Sequence, residues 1–252
     1  MLKLFFLVPY NIFIWLYVVI IFTIARWGGY VLALFYKDRE KGFLTITYPL
    51  LKFWFILLNI KVNVKGIEHV PKNKPVIVAS NHQSYLDTVI FQCYFPKVVN
   101  FFAKKELIRT PLLGKIMLNQ GHFIVDRKNP KKALKQMKHV RKSIEKGKTI
   151  LIFPEGTRTL TGKINRFKRG LFHIAAQTGV DILPCYLNGT YQTYNKHSFL
   201  FHPGKTITLT ICPAVKTTKA TEKSLEKESA LNALNETFDA LLTCEKNEFN
   251  TT

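Results

Sequence analysis

The first 60 residues are dominated by two long apolar runs. Lys3 and Arg26 bracket 22 uncharged residues, enough for a helix that crosses a bilayer, which needs roughly 20. Three of the 22 are neither hydrophobic nor aromatic: Pro9, Asn11 and Thr23. The second run, at 43–60, is interrupted by Pro49 and Lys52 and carries aromatic residues that suit a helix in the membrane interface.

The two runs fit two arrangements: a helical hairpin that dips into one leaflet, or one transmembrane helix followed by a helix on the membrane surface. Two core helices of a soluble protein fit less well, because an uncharged stretch this long rarely occurs there. No small-residue cleavage site follows the first run, so we expect 1–60 to remain as a membrane-anchoring helical segment. Lys3 alone precedes the run, whereas four basic residues follow it: Arg26, Lys37, Arg39 and Lys41. The positive-inside rule then predicts that the rest of the chain faces the cytoplasm, which in a bacterium means the inner membrane.

The pattern changes at Lys61, where apolar and polar residues begin to alternate as in a half-buried strand. Six further short β-rich runs follow, at 75–80, 98–103, 121–125, 149–153, 180–187 and 206–212. Helical patterns lie between most of them, most clearly at 130–146, and another occupies 222–243. This order predicts an α/β domain over 61–252, built on a mixed, largely parallel sheet flanked by helices.

Composition excludes some classes of protein. The 252 residues are 47% hydrophobic and 13% aromatic, which excludes a disordered chain. Lys and Arg total 37 against 16 acidic residues, a net charge of +21 that favours anionic partners such as acidic lipids, nucleic acid or a phosphorylated small molecule. The four cysteines form no C-x-x-C pair, and we expect reduced, buried thiols.

The first candidate for chemistry is the pair His82 and Asp87, which follows the apolar run at 75–80. Open α/β sheets place their ligands at the carboxyl ends of strands. Five positions in a continuous helix would turn the two side chains apart by roughly 140°, so pairing requires His82 in a turn and Asp87 in the first turn of the next helix. There Asp87 would fix the imidazole tautomer and leave the other ring nitrogen as a base. On this motif alone, a histidine that caps local backbone is the alternative.

The second candidate is the turn FPEGTR at 153–158, which also follows an apolar strand and offers a Glu and an Arg at the same sheet edge. A third group is cationic and also lies largely after strands: Lys104, Lys105, Arg127, Lys168 and Arg169. Such residues from different loops suit a phosphate monoester, which needs several converging donors. Any one of them alone is more often a solvated surface charge.

Several other motifs carry no function. The histidines show no H-E-x-x-H and no cluster at metal-ligand spacing, so we predict no metal. Gly204-Lys205-Thr206 lacks the first glycine of a P-loop and is followed by a strand pattern. Ser84 has no G-x-S-x-G elbow around it, which argues against a serine hydrolase.

Together these motifs resemble the glycerolipid acyltransferases, the family typified by lysophosphatidic acid acyltransferase. Four blocks match in order and spacing: NHQSYLD at 81–87, GHFIVDR at 121–127, FPEGTR at 153–158 and ILPCYL at 182–187. Two shorter stretches also resemble the family pattern: AKKEL at 103–107 and FKRG at 167–170. The N-terminal membrane hairpin fits the same family.

The resemblance implies an O-acyltransferase of phospholipid biosynthesis that moves a fatty acyl group from acyl-CoA or an acyl carrier protein to the sn-2 hydroxyl of 1-acylglycerol 3-phosphate. It implies that His82 is the base and that Asp87 orients it, with no acyl-enzyme and no cofactor. It also implies that Glu155, Gly156, Thr157 and Arg158 shape the acceptor site, and that Arg127 and Arg158, helped by Lys104 and Lys168, hold the phosphate.

Two alternatives remain open at this stage. Relatives with similar blocks acylate glycerol 3-phosphate, other lysophospholipids or lyso-ornithine lipids, so the acceptor is less secure than the reaction. A non-enzymatic basic protein that binds acidic membranes or nucleic acid would explain the charge equally well. Nucleic acid is the poorer partner, because no recognition motif is present and the chain begins with a membrane segment.

Overall fold

The computed structural model describes residues 2–35, 39–110, 113–125 and 130–249. The two apolar runs form the helices α1, Leu2–Phe35, and α2, Arg39–Leu57. Tyr10 near the start of α1 donates a hydrogen bond to the carbonyl of Leu57, 2.8 Å away, and Tyr17 donates to the carbonyl of Leu50 at 3.2 Å. The helices are therefore antiparallel and form a hairpin.

The sheet has seven strands, and each of the predicted β-rich runs supplies one of them. The strands are β1 Lys61–Lys65, β2 Ile77–Ser80, β3 Val99–Lys104, β4 Phe123–Val125, β5 Thr149–Ile152, β6 Ile182–Asn188 and β7 Thr206–Ile211. Their order across the sheet is β1-β7-β6-β2-β5-β3-β4. The strands from β6 to β4 run parallel, β7 is antiparallel to β6, and β1 is parallel to β7. The predicted mixed, largely parallel sheet is confirmed.

Helices cover both faces of this sheet. Within the described residues, seven α-helices follow the hairpin: α3 Leu86–Tyr94, α4 Lys105–Ile108, α5 Leu113–Asn119, α6 Pro130–Glu145, α7 Gly170–Thr178, α8 Thr190–Thr193 and α9 Lys223–Phe249. Alternate residues of β2 serve opposite faces: Val78 packs in the core cluster that includes α1, α2 and α3, whereas Ile77 and Ala79 pack in the one formed with α6, α7 and α9. The helix predicted at 222–243 ends later than expected, at Phe249.

The hairpin shares a hydrophobic core with the sheet. Ile14, Phe55 and Leu58 are almost completely buried in the same cluster as Val78 and Leu183. Helix α2 ends and β1 begins on either side of the predicted boundary at residue 60. That the chain divides there into two domains stays a prediction.

Among the described helices, one is long and apolar enough to cross a membrane: the Phe6–Ala25 part of α1, with a mean hydropathy of 2.2 and 22% of its most apolar window buried. Its outer face is apolar and exposed, and Ile12, Leu16 and Ile20 are each more than half accessible. Helix α2 contains a shorter apolar stretch, Leu44–Leu57, and continues through Pro49.

Candidate active site

The predicted chemistry lies at one edge of the sheet. Strands β2 and β5 are parallel neighbours, so the turns that follow them lie side by side at their carboxyl ends. His82 follows β2, whereas Phe153 and Glu155 follow β5. This is the edge at which open α/β sheets bind ligands.

His82 and Asp87 are directly bonded. The imidazole Nδ1 lies 2.7 Å from Asp87 Oδ2, which also accepts the backbone N–H groups of Gln83 at 2.7 Å and Ser84 at 2.8 Å. His82 occupies the turn and Asp87 the first turn of α3, as the offset of five required. An ionised carboxylate only accepts hydrogen bonds, so we assign the imidazole proton to Nδ1, which leaves Nε2 without a proton.

Asp87 is fully buried, and its Oδ1 accepts no hydrogen bond from the described residues. A buried carboxylate strongly attracts a nearby cation. Asp87 is therefore suited to stabilise a protonated imidazole at His82.

The imidazole of His82 stacks on the ring of Phe153, with centroids 4.0 Å apart and an angle of 14° between the planes. The His82 side chain is only 14% exposed. Phe153 thus limits both the rotation of the imidazole ring and the access of water to that ring. Sequence reasoning missed this role, although Phe153 follows β5 directly.

Glu155 anchors the turn that carries His82. Its Oε1 accepts the backbone N–H of His82 at 2.7 Å, and its Oε2 accepts the backbone and side-chain N–H groups of Asn165 at 3.0 and 2.8 Å. Burial raises the pKa of Glu155 to about 7, against the opposing effect of these hydrogen bonds and with a further rise from the charge of Asp87. The predicted contact of Glu155 with the acceptor stays a prediction, and anchoring His82 is a role that the sequence did not suggest.

Asn81 fixes the other end of the turn. Its Nδ2 donates to the carbonyl of Leu187 at 2.9 Å, and the N–H of Leu187 donates to its Oδ1 at 2.8 Å. The side-chain amide of Asn81 thus makes the pair of hydrogen bonds that a backbone peptide group would make between β2 and β6. In the sequence, this role could have been suspected only because Asn81 lies directly before His82.

The predicted cationic residues lie in different surroundings. The guanidinium of Arg158 lies over the ring of Tyr85, 3.6 Å from its centroid. Lys168 lies over Gly156, where an added Cβ would be 2.7 Å from the lysine Nζ. The φ of Gly156 is +72°, so the backbone favours glycine there. Thr157 beside them is exposed.

Lys104 lies at the end of a different strand from those that His82 and the turn at 153–158 follow. Lys104 ends β3, the neighbour of β5, and its exposed Nζ lies 3.7 Å from Glu106 Oε1. Arg127 lies outside the described residues. The structure thus brings Arg158, Gly156 and Lys168 to the turns beside His82. Binding of the acceptor phosphate by Arg158, Arg127, Lys104 and Lys168 stays a prediction.

In the described part of the chain, no three His, Cys, Asp or Glu side chains converge as a metal would require.

Comparison with known proteins gives one consistent family. The sequence model of the family described as Acyltransferase matches residues 61–188. The chain is 35% identical over 162 residues to a 1-acyl-sn-glycerol-3-phosphate acyltransferase of Cocos nucifera, across 64% of this chain and 52% of the relative. It is 32% identical over 173 residues to a protein of the same name from Borreliella burgdorferi, across 69% of this chain and 68% of the relative. The chain therefore spans about half the length of the coconut protein and about two thirds of the bacterial one.

A solved structure agrees with the sequence comparisons. The crystal structure of the 1-acyl-sn-glycerophosphate acyltransferase PlsC from Thermotoga maritima matches with a TM-score of 0.70 at 28% identity, over 91% of this chain and 95% of that chain. The likeness therefore includes most of the hairpin as well as the sheet. The matched segment 61–188 contains both His82 and Asp87 as well as the turn at 153–158, and this chain belongs to the Acyltransferase family.

Proposed function

We propose that this chain transfers an acyl group from a thioester to the free sn-2 hydroxyl of 1-acylglycerol 3-phosphate and so produces phosphatidic acid. The observation that carries the proposal is the His82 pair: a mostly buried imidazole whose Nδ1 is held by a buried carboxylate and whose Nε2 is not bonded to that carboxylate. The names of the relatives, 1-acyl-sn-glycerol-3-phosphate acyltransferase, support the choice of acceptor.

The reaction needs one base and no covalent enzyme intermediate. His82 Nε2 takes the proton of the acceptor hydroxyl as its oxygen attacks the thioester carbonyl, which gives a tetrahedral intermediate. When the carbon–sulfur bond breaks, the leaving thiolate takes that proton back from the imidazolium. The products are the new ester and the free thiol, and His82 returns to its starting state.

The surroundings of His82 fit this cycle. Asp87 supplies a negative charge beside Nδ1, which stabilises the imidazolium during the tetrahedral stage. Phe153 covers one face of the ring and so limits its contact with water, which keeps the base available to the acceptor hydroxyl.

We propose that the acceptor phosphate is held by Arg158 and Arg127, with help from Lys104 and Lys168, and that Gly156 and Thr157 shape the space beside it. Arg158 suits this role because Tyr85 supports one face of its guanidinium and leaves its N–H groups to donate. We further propose that the donor is acyl-CoA or an acidic acyl carrier protein, which the net charge of +21 would attract.

We also propose that the enzyme works at a membrane, since both acceptor and product are lipids. The exposed apolar face of α1 supports this, and the basic residues after the first apolar run favour a catalytic domain that faces the cytoplasm.

Thiol release from acyl-CoA by the purified protein in detergent tests the proposal, measured with a panel of labelled acceptors. The expected result is release that depends on 1-acylglycerol 3-phosphate and is lost in His82→Ala. Turnover confined to glycerol 3-phosphate, another lysophospholipid or a lyso-ornithine lipid would support acyl transfer but show that the acceptor is not 1-acylglycerol 3-phosphate. Absence of turnover with every acceptor would favour a basic membrane-binding protein without enzymatic activity.

A further inference from the structure

Asn11 is a buried polar residue in the most apolar helix of the chain. Its side chain belongs to α1 and is only 2% exposed. Its Nδ2 donates to the carbonyl of Phe201 at 3.1 Å, and the N–H of Phe201 donates to its Oδ1 at 2.6 Å. This amide therefore satisfies both backbone groups of a residue 190 positions away, which an apolar side chain could not do.

Trp15, one turn further along α1, contacts the same stretch of chain. Its indole N–H donates to the carbonyl of Phe199 at 3.0 Å, and its ring lies 5.3 Å from the ring of Phe201. Helix α1 is thus attached at two consecutive turns to residues 194–201, which we call the 194–201 segment.

The 194–201 segment also contacts the turn that carries the base. The ring of Tyr194 stacks on Phe201 at 4.3 Å, and its backbone carbonyl accepts the hydroxyl of Ser84. The backbone N–H of Ser84 is one of the two that hold Asp87 Oδ2. A continuous set of contacts therefore leads from Asn11 to the carboxylate beside His82.

A branch of the same contacts reaches Arg158. The ring of Tyr85 lies 6.4 Å from the ring of Tyr194, and Tyr85 supports the guanidinium of Arg158. A shift of the 194–201 segment would therefore move the supports of both the base and the proposed phosphate-binding residue.

We propose that Asn11 is a positioning residue for acyl transfer: through the 194–201 segment, it holds Ser84 and Tyr85 where Asp87 and Arg158 need them. The inference rests on the proposed function and deepens it, since turnover then depends on α1 being docked and not only on its attachment to a membrane. Asn11 touches no reacting atom and acts through Phe201 and Tyr194.

Steady-state kinetics of Asn11→Ala against both substrates test this role. We expect kcat to fall by roughly 10- to 100-fold, the scale of a small misplacement of catalytic groups, and the KM for 1-acylglycerol 3-phosphate to rise. The thioester KM should stay unchanged. Simple loss of folded protein would lower kcat and leave both KM values alone, so an unchanged acceptor KM would overturn the proposal.

Thr23→Val is the matched control in the same helix, because the Thr23 hydroxyl donates to the carbonyl of Val19, within α1 and one turn earlier. It should keep wild-type kinetics. Trp15→Phe provides a second variant if Asn11→Ala does not fold, since it removes one N–H and keeps an aromatic ring. As in Asn11→Ala, its kcat should fall and its acceptor KM should rise, but each by a smaller factor. Wild-type kinetics in this variant would count against the proposal.

Amide hydrogen exchange without substrate separates this inference from the proposed function. Asn11→Ala should speed exchange both at 195–201 and in the turn at 83–86, whereas Thr23→Val should change neither. Faster exchange confined to 195–201 would show that the contact is local and would overturn the inference. A wild-type protein that is inactive on every acceptor would overturn the proposed function, and the exchange result would still decide whether Asn11 controls the turn.

Discussion

The carboxylate of Glu155 accepts the backbone N–H of His82 at 2.7 Å, so a residue that follows β5 holds the residue that follows β2. Because the second carboxylate oxygen is bonded to Asn165, Glu155 is fixed on both sides and restrains the backbone of His82. The turn at 153–158 thus places a buried anchor under the turn that carries His82, and a partly exposed arginine, Arg158, beside it.

Glu155 should make stability depend on pH in a definite direction. Burial raises its pKa from 4.5 to about 7, so the folded protein binds this proton more tightly than the unfolded chain does. As the pH rises through the window from about 4.5 to about 7, the folded state loses that advantage and the free energy of unfolding falls, by at most about 3 kcal/mol for this group.

The measurement is the melting temperature in detergent of wild type and Glu155→Gln from pH 4.5 to 8. Glutamine does not titrate, so the wild-type curve should decline relative to that of the variant as the pH rises. Parallel curves would show that the carboxyl has an ordinary pKa in the folded protein.

Phe153→Ala should lower kcat by about tenfold, because the imidazole of His82 then loses its stacking partner and gains both rotational freedom and contact with water. Phe153→Leu keeps an apolar side chain beside the imidazole, so its kcat should fall by a smaller factor. Both values are read from the rate at saturating substrates, with the melting temperature as a control for folding. Equal activity of all three proteins would mean that the stack has no part in catalysis.

Arg158→Ala should raise the acceptor KM strongly, since a charge-assisted hydrogen bond to a phosphate contributes about 1.5–3 kcal/mol. Arg127→Ala should behave in the same way, on the strength of the family resemblance. The thioester KM should move much less in both variants, and Lys138→Ala, on the exposed face of α6, is the control for loss of one positive charge. Equal rises in both KM values would instead assign the arginine to binding of the donor.

The exposed face of α1 should hold the protein in the membrane. Replacing Ile12, Leu16 and Ile20 by glutamine removes apolar area that the fold does not bury, so the protein should stay folded and appear partly in the soluble fraction at high salt. Replacing the exposed Lys138 and Lys142 by glutamine should weaken association at low salt only. Full membrane retention of the α1 variant at high salt would show that another surface is the anchor.

Local patterns were enough to predict the sheet and the pairing of His82 with Asp87. Each strand is a short apolar or alternating run, and that signal survives because burial constrains every residue of a strand such as β2. The offset between His82 and Asp87 required a turn followed by a helix, and the structure has that order.

The contacts between distant parts of the chain could not be predicted from local sequence patterns. Phe153 stacks on His82 only because β5 lies next to β2, and Asn11 bonds Phe201 across 190 positions. Periodicity reports the environment of a residue but not the identity of its partner. For the same reason, Glu155 was predicted to face the acceptor, whereas its anchoring of His82 depends on a sheet order that the sequence does not specify.

If His82 and Asp87 act as one catalytic unit, their separate losses in kcat do not add, and a double-mutant cycle measures this. His82→Ala should lose the 10²- to 10⁴-fold that a general base typically contributes, with folding and membrane association intact. Asp87→Asn should also be severely impaired, because an amide no longer balances the imidazolium charge. The double variant should then be hardly slower than His82→Ala alone. Losses that add fully in the double variant would contradict a single unit, and wild-type turnover in His82→Ala would contradict the mechanism itself.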